Sequence, residues 1–203
     1  MAEATAWIEP ASRIACWALS DEELYRLFID YYFMFQPNAK AHLVHYRIGQ
    51  GKVYQEDVNG LFVANPRIRT RIARLIHAQI TATTGSTLVS GALIGRGVDD
   101  GQEPPIRQQD YDSEDWRNAN GNIDEVRWSL IGTYNPRGYN MFNITIRDPY
   151  EWHDQEGRAT QCLHAAFVRL KRQGAADYMT EGTARIQLPP IWQSPDLPLE
   201  RVL

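Results

Sequence analysis

Cysteine is almost absent from this chain of 203 residues: Cys16 and Cys162 are too few for a disulfide framework, and neither has metal-ligand spacing around it, so both are read as buried thiols. A basic surplus is missing too. The formal charge of -4 argues against a nucleic-acid protein, because phosphate binding normally needs excess Lys and Arg. No apolar run approaches the ~20 residues of a membrane span. The opening MAEATAWIEPASR has neither the basic n-region nor the apolar h-region of a secretory signal, which predicts a soluble chain without a cleavable leader. No internal repeat is visible.

Hydrophobic residues make up 43% of the chain, enough to bury a core, and the length fits one domain over 1–203. Six Trp and ten Tyr fit a β-containing core, the commoner use, or a sugar- or lipid-facing groove. Residues 1–19 read as a packed arm. Residues 20–125 form a helical, loop-rich part and 126–188 a β-rich part. The Pro-rich 189–203 reads as an extended tail.

Ser20 and Glu23 form a capping box opening a helix that runs through the apolar stretch 27–35 to Gln36-Pro37-Asn38. Residues 42–48, HLVHYRI, read as a short strand, which would put His42 and His45 on opposite faces and argues against a shared metal. The following Gly49-Gln50-Gly51 lacks the third glycine of a dinucleotide fingerprint and reads as a turn. Asn65-Pro66 starts a second helix with the stripe Ile68, Ile72, Leu75, Ile76 and Ile80. Its Arg67, Arg69, Arg71 and Arg74 form either a solvated surface or a face for anionic headgroups.

From 81 to 122 the chain reads as loop. Its acidic knot, Asp110, Asp112, Glu114 and Asp115, resembles a calcium loop only until the register is checked. With Gly121 as the obligatory glycine, Trp116 would fall at the first ligand position and Arg127 at the bidentate glutamate position.

The clearest local structure is a β-hairpin over 126–147. Val126, Trp128 and Leu130 alternate with polar neighbours, Asn135-Pro136-Arg137-Gly138 turns, and Phe142, Ile144 and Ile146 alternate on the return. Pro149 is expected to stop that strand. Asp148, Tyr150, Glu151, Trp152, His153, Asp154, Glu156 and Arg158 then follow, so groups able to bind a cation, move a proton or hold a phosphate sit at the mouth of a rigid element. A third helix is expected over 159–173 with Gly174 as its cap, then strand over 178–188. The expected fold is α+β: a twisted antiparallel sheet containing the hairpin, flanked by about three helices.

The run Asp148-Pro149-Tyr150-Glu151, after a Gly-x-Tyr hairpin and before a helix, resembles the catalytic part of colicin M-type bacterial toxins. That family carries Asp-x-Tyr-Asp, five residues, then His-Arg. Asp148, Tyr150 and Arg158 match, Glu151 replaces the second Asp, and Gly157 stands where the family has its His. Phe167, Gly174, Tyr178 and Gly182 resemble the closing helix and strand, so the likeness covers roughly the last third of the chain.

The resemblance implies an antibacterial enzyme that hydrolyses lipid II, the lipid-linked peptidoglycan precursor, between polyprenyl chain and pyrophosphate. It implies Mg²⁺ on Asp148 and Glu151, phosphate contact by Arg158, and an imidazole from His153 or His164. It further implies synthesis in a bacterial cytoplasm, delivery to a target-cell periplasm by a secretion system, an immunity protein as partner and peripheral membrane contact. Two other readings of the same residues stay open. One is a non-catalytic binding module, an adaptor or immunity-type protein; the other is a different hydrolase using Glu151 with His153 or Asp154 as acid and base.

Overall fold

The computed structural model describes residues 18–82, 89–95, 103–135, 137–152 and 161–188. The arm 1–17, the tail 189–203, the side chains of Cys16 and Cys162, and His153 and Arg158 lie outside them. The architecture is α+β, as expected, with six α-helices and a five-stranded sheet among the described residues. The chain forms two compact units: Met1–Lys52 with Pro149–Met179, and Val53–Asp148 with Thr180–Leu203.

In the first unit, α1 (Asp21–Leu27) opens as its sequence demands. The Ser20 side chain accepts from the Glu23 amide, and the Glu23 carboxylate accepts from the Ser20 amide at 2.8 Å. That hydrogen bonding holds the Glu23 carboxyl below its usual range. The helix widens into a π-turn, Phe28–Tyr32, and stops at a turn over 33–35.

The expected strand 42–48 is instead part of helix α2 (Pro37–Ile48), whose N-terminus carries a proline. The buried residues Ala39, His42, Leu43 and Tyr46 repeat at helical spacing, so packing of one helix face overrides the β-like local run HLVHY. Helix α6 (Gln161–Leu170) continues as a 3₁₀ turn to Gln173 and ends at Gly174 with φ of 96°, the left-handed cap that the sequence indicated.

The second unit holds α3 (Val58–Ala64), α4 (Pro66–Ala82), α5 (Glu114–Asn120) and most of the sheet, its strands up to Asp148 and from Thr180 on. Strands β1 (Tyr54–Gln55), β2 (Ser90–Ile94), β3 (Glu125–Ile131), β4 (Asn140–Tyr150) and β5 (Tyr178–Leu188) lie in the order β1-β5-β4-β3-β2. The hairpin is β3–β4, paired from Glu125↔Arg147 to Ile131↔Met141. The sheet is mixed rather than purely antiparallel, because β1 pairs in parallel with β5. β4 also runs one residue past Pro149 instead of stopping before it. Pro149 lies beyond the last β3 pair, so its missing N–H costs that ladder nothing.

The core of this unit packs Ile68, Ile72 and Ile76 of α4, all fully buried, against Val126, Trp128, Phe142, Ile144 and Ile146. Burial of each such side chain contributes roughly 1.5–3 kcal/mol. Three arginines of α4 bond to the protein's own chain. Arg67 pairs with Asp112, Arg69 donates to the Gln187 carbonyl at 3.0 Å, and Arg71 donates to the Pro105 carbonyl at 2.8 Å.

The stretch read as a loop over 81–122 contains β2 and α5, plus a buried ionic knot in which Asp110 receives both Arg71 and Arg107. Asn65, expected to cap α4, is fully buried: its amide donates to the Leu61 carbonyl, and its oxygen accepts the Asp112 and Ser113 amides, each at 2.9 Å. No helix among the described residues is long and apolar enough to cross a membrane.

Candidate functional site

The alternation of β4 buries Phe142, Ile144 and Ile146, and the next position in phase is Asp148. A carboxylate therefore ends an apolar series, with only 7% of the residue exposed. Such burial is costly unless the anion is solvated by the protein. Its Oδ1 accepts the Asp124 amide at 2.8 Å, and its backbone carbonyl accepts the Thr180 hydroxyl at 3.0 Å.

Its charge also reaches a buried phenol of the second unit. Burial raises the Tyr111 phenol well above its ordinary pKa, and the negative charges of Asp148, Glu56 and Asp110 add to that rise. The Tyr111 hydroxyl has no hydrogen-bond partner among the described residues. Glu56 is held at the sheet edge by its amide, which donates to the Glu181 carbonyl at 2.9 Å. Gly182 makes that approach possible, because any Cβ there would collide with the Glu56 backbone. Burial also raises the Asp124 carboxyl above its usual range. Asp110 is neutralised by two guanidiniums.

In the first unit, Tyr150 belongs to an aromatic cluster. It stacks on Tyr178 at a centroid distance of 4.8 Å and packs near His42 and Tyr46 at 5.4 and 6.2 Å. Burial pushes its hydroxyl far up from the usual phenol pKa, so it acts there as a neutral group. Trp152 links it to His164, with centroids 6.3 Å from Tyr150 and 5.0 Å from His164. The structure thus brings Tyr150 and His164 into one cluster. Glu151 follows the strand end and is exposed, and Asp148 belongs to the other unit.

No group of three or more His, Cys, Asp or Glu side chains among the described residues is placed to hold a metal.

Sequence reasoning missed Tyr111, Glu56 and His42. A helical reading from Pro37 would have put His42 and Tyr46 on the buried face; Glu56 and Tyr111 carry no local signal. A shallow apolar cleft of about 380 Å³, lined by Leu75, Ala78, Gln79, Leu93, Ile94, Glu103 and Pro105, includes none of the expected site residues.

His77, on α4, is the titratable pair partner of Tyr134: its Nδ1 lies 2.6 Å from the tyrosine hydroxyl. Burial lowers its pKa below 6.5. Between the folded and unfolded values the unfolded chain binds more protons, so His77 adds stability above pH 6.5 that is lost as pH falls. Urea melts at pH 7.5 and 5.5 should show a larger acid loss for the wild type than for His77→Asn. Equal losses would refute the assignment.

Comparison with protein-family models, with curated proteins and with solved structures finds no match for this chain.

Proposed function

We propose that this chain is an antibacterial hydrolase of lipid II, cutting the bond between the polyprenyl chain and the pyrophosphate. Water adds across that bond, releasing polyprenol and the pyrophosphorylated disaccharide-peptide. The observation that supports the reading is Asp148: the first residue of the toxin-like Asp-x-Tyr element is a buried carboxylate at the end of the longest hairpin strand, beside a phenol without a partner among the described residues. A carboxylate so placed, with the Asp124 amide fixing one oxygen, suits general-base work on water. Mg²⁺ is part of the proposal because such ions commonly ride on substrate phosphates plus one or two carboxylates. Arg158 as a phosphate contact, and His153 or His164 as the imidazole, belong to the proposal too, as do the immunity protein and the delivery to a target-cell periplasm.

One observation favours the non-catalytic binding module instead: Glu151 is exposed, as a residue of a surface loop would be. A hydrolysis assay on lipid II separates the readings. Wild type, Asp148→Asn and Arg158→Ala are run with Mg²⁺ and with chelator. Asn keeps an oxygen for the Asp124 amide, so the fold should survive while turnover falls by roughly 10²–10⁴-fold. Intact lipid II after incubation with folded wild type under both conditions would overturn the hydrolase and leave the binding module.

A further inference from the structure

The first unit carries a surface feature that its packing does not explain. After the π-turn, Tyr31 is 72% exposed, Met34 55% and Phe35 85%, while Phe33 between them is buried. No charged residue falls between Asp30 and Lys40, so the tip of the turn is apolar and uncharged. Soluble surfaces rarely concentrate large apolar groups this way without a use for them.

The turn is also braced from behind. Phe28 meets Phe33 at 5.8 Å and Phe167 at 5.6 Å, Phe167 meets Trp152 at 4.5 Å, and Trp152 leads to Tyr150 at 6.3 Å. A continuous series of ring contacts within one unit therefore runs from the exposed tip to the tyrosine of the toxin-like element.

We propose that the turn 31–35 is an interfacial anchor: Met34 and Phe35 enter the outer layer of a phospholipid bilayer, with Tyr31 and Tyr32 at headgroup level. Residue chemistry selects this occupant. Tyrosines have an apolar body and a wet tip, the combination found at membrane interfaces, and Phe and Met supply the apolar insertion beyond them. The exposed charges, Asp30 and the Arg26–Glu22 pair, come before the tip in the chain, and Lys40 comes after it, so the inserting residues carry none into the bilayer. A turn that projects side chains needs no shaped groove in its partner, which a fluid bilayer does not offer. This inference deepens the lipid II reading and rests on it for its purpose: the anchor would bring the Tyr150–Trp152 segment to the depth where a lipid-linked pyrophosphate sits.

The test uses the full chain and vesicles without lipid II, one set of phosphatidylethanolamine with phosphatidylglycerol and one of phosphatidylcholine alone. Wild type should co-sediment with both, because the driving force is apolar. A double variant, Met34→Ser with Phe35→Ser, should lose at least about tenfold in partitioning, since two large apolar side chains would no longer leave water on binding. Val63→Ser, a control at a residue 76% exposed in the other unit, should partition like wild type. Near-UV circular dichroism confirms that each variant is folded. Phe35→Trp should bind and be quenched by bromine-labelled lipid. Equal partitioning of wild type and double variant would overturn the anchor, as would wild type that stays in the supernatant with both lipids and so points to a protein occupant. Vesicle binding by a chain that leaves lipid II intact in detergent would sink the hydrolase while upholding the anchor.

Discussion

Asp110→Ala is expected to lower the free energy of unfolding by about 3–5 kcal/mol, the range for removing one partner from a buried ion cluster. The Asp110 side chain is 3% exposed and serves two cations at once. Its Oδ2 lies 3.1 Å from Arg71 Nε and accepts the Arg107 amide at 2.8 Å, while Oδ1 accepts from the Arg107 guanidinium at 3.1 Å. The hydrogen bond to Asp110 is the main reason that the Arg107 pKa is raised, so the guanidinium itself depends on this carboxylate. Alanine would leave two desolvated positive charges facing each other, with Glu103, 69% exposed, as a poor substitute. Asp112→Ala is the internal control. Its pair with Arg67 is about a third exposed on each side and should cost no more than about 1 kcal/mol. Urea unfolding at constant m-value measures both. Equal costs would show that the Asp110 cluster is no more than a surface ion pair.

That cluster also shows where the sequence stops being readable. Asp110, Asp112, Glu114 and Asp115 read as a solvated loop because acidic residues near Gly and Asn usually are one. The cations that bury Asp110 come partly from α4, 39 positions earlier at Arg71, and no window of local pattern contains both. Elements with a self-contained signal were legible. The Ser20–Glu23 box, the isoleucine stripe of α4, the hairpin alternation and the glycine that ends the chain's third expected helix each encode their geometry within a few residues.

Elements decided by distant contacts were not legible. Helix α2 looks like a strand over 42–48 until Tyr46 is seen to donate to the Phe167 carbonyl and the Tyr178 hydroxyl to the His42 carbonyl. Strand β1 is two residues long and exists only because β5 lies beside it. Strand β2 is fixed from outside as well, with the Gln79 amide donating to the Ala92 carbonyl and its oxygen accepting from the Trp128 indole. The site was half legible for the same reason. The phase of Phe142, Ile144 and Ile146 already assigns Asp148 to the buried side, yet the neighbouring polar residues made it read as the start of a solvent-facing cluster. Tyr111 comes within electrostatic reach of Asp148 and Glu56 only in the folded unit, across tens of positions of sequence.

Phe167→Ala should be the most damaging single truncation in the first unit, costing about 3–5 kcal/mol, the range for deleting a buried Phe. The side chain is 1% exposed and sits between two rings, edge-on to Phe28 and 4.5 Å from Trp152. Aromatic contacts of this kind add about 0.5–1.5 kcal/mol beyond the area they bury, so Phe167→Leu should recover part of the loss but not all of it. Near-UV circular dichroism would follow the rearrangement of Trp152, and thermal unfolding the stability. The substitution touches neither Met34 nor Phe35. If ring contacts brace the exposed turn, the folded fraction of Phe167→Ala should nonetheless partition onto vesicles less well than wild type and better than the Met34/Phe35 double variant. Wild-type partitioning by a destabilised Phe167→Ala would mean that the turn holds its own shape, and the ring series would then matter for stability alone.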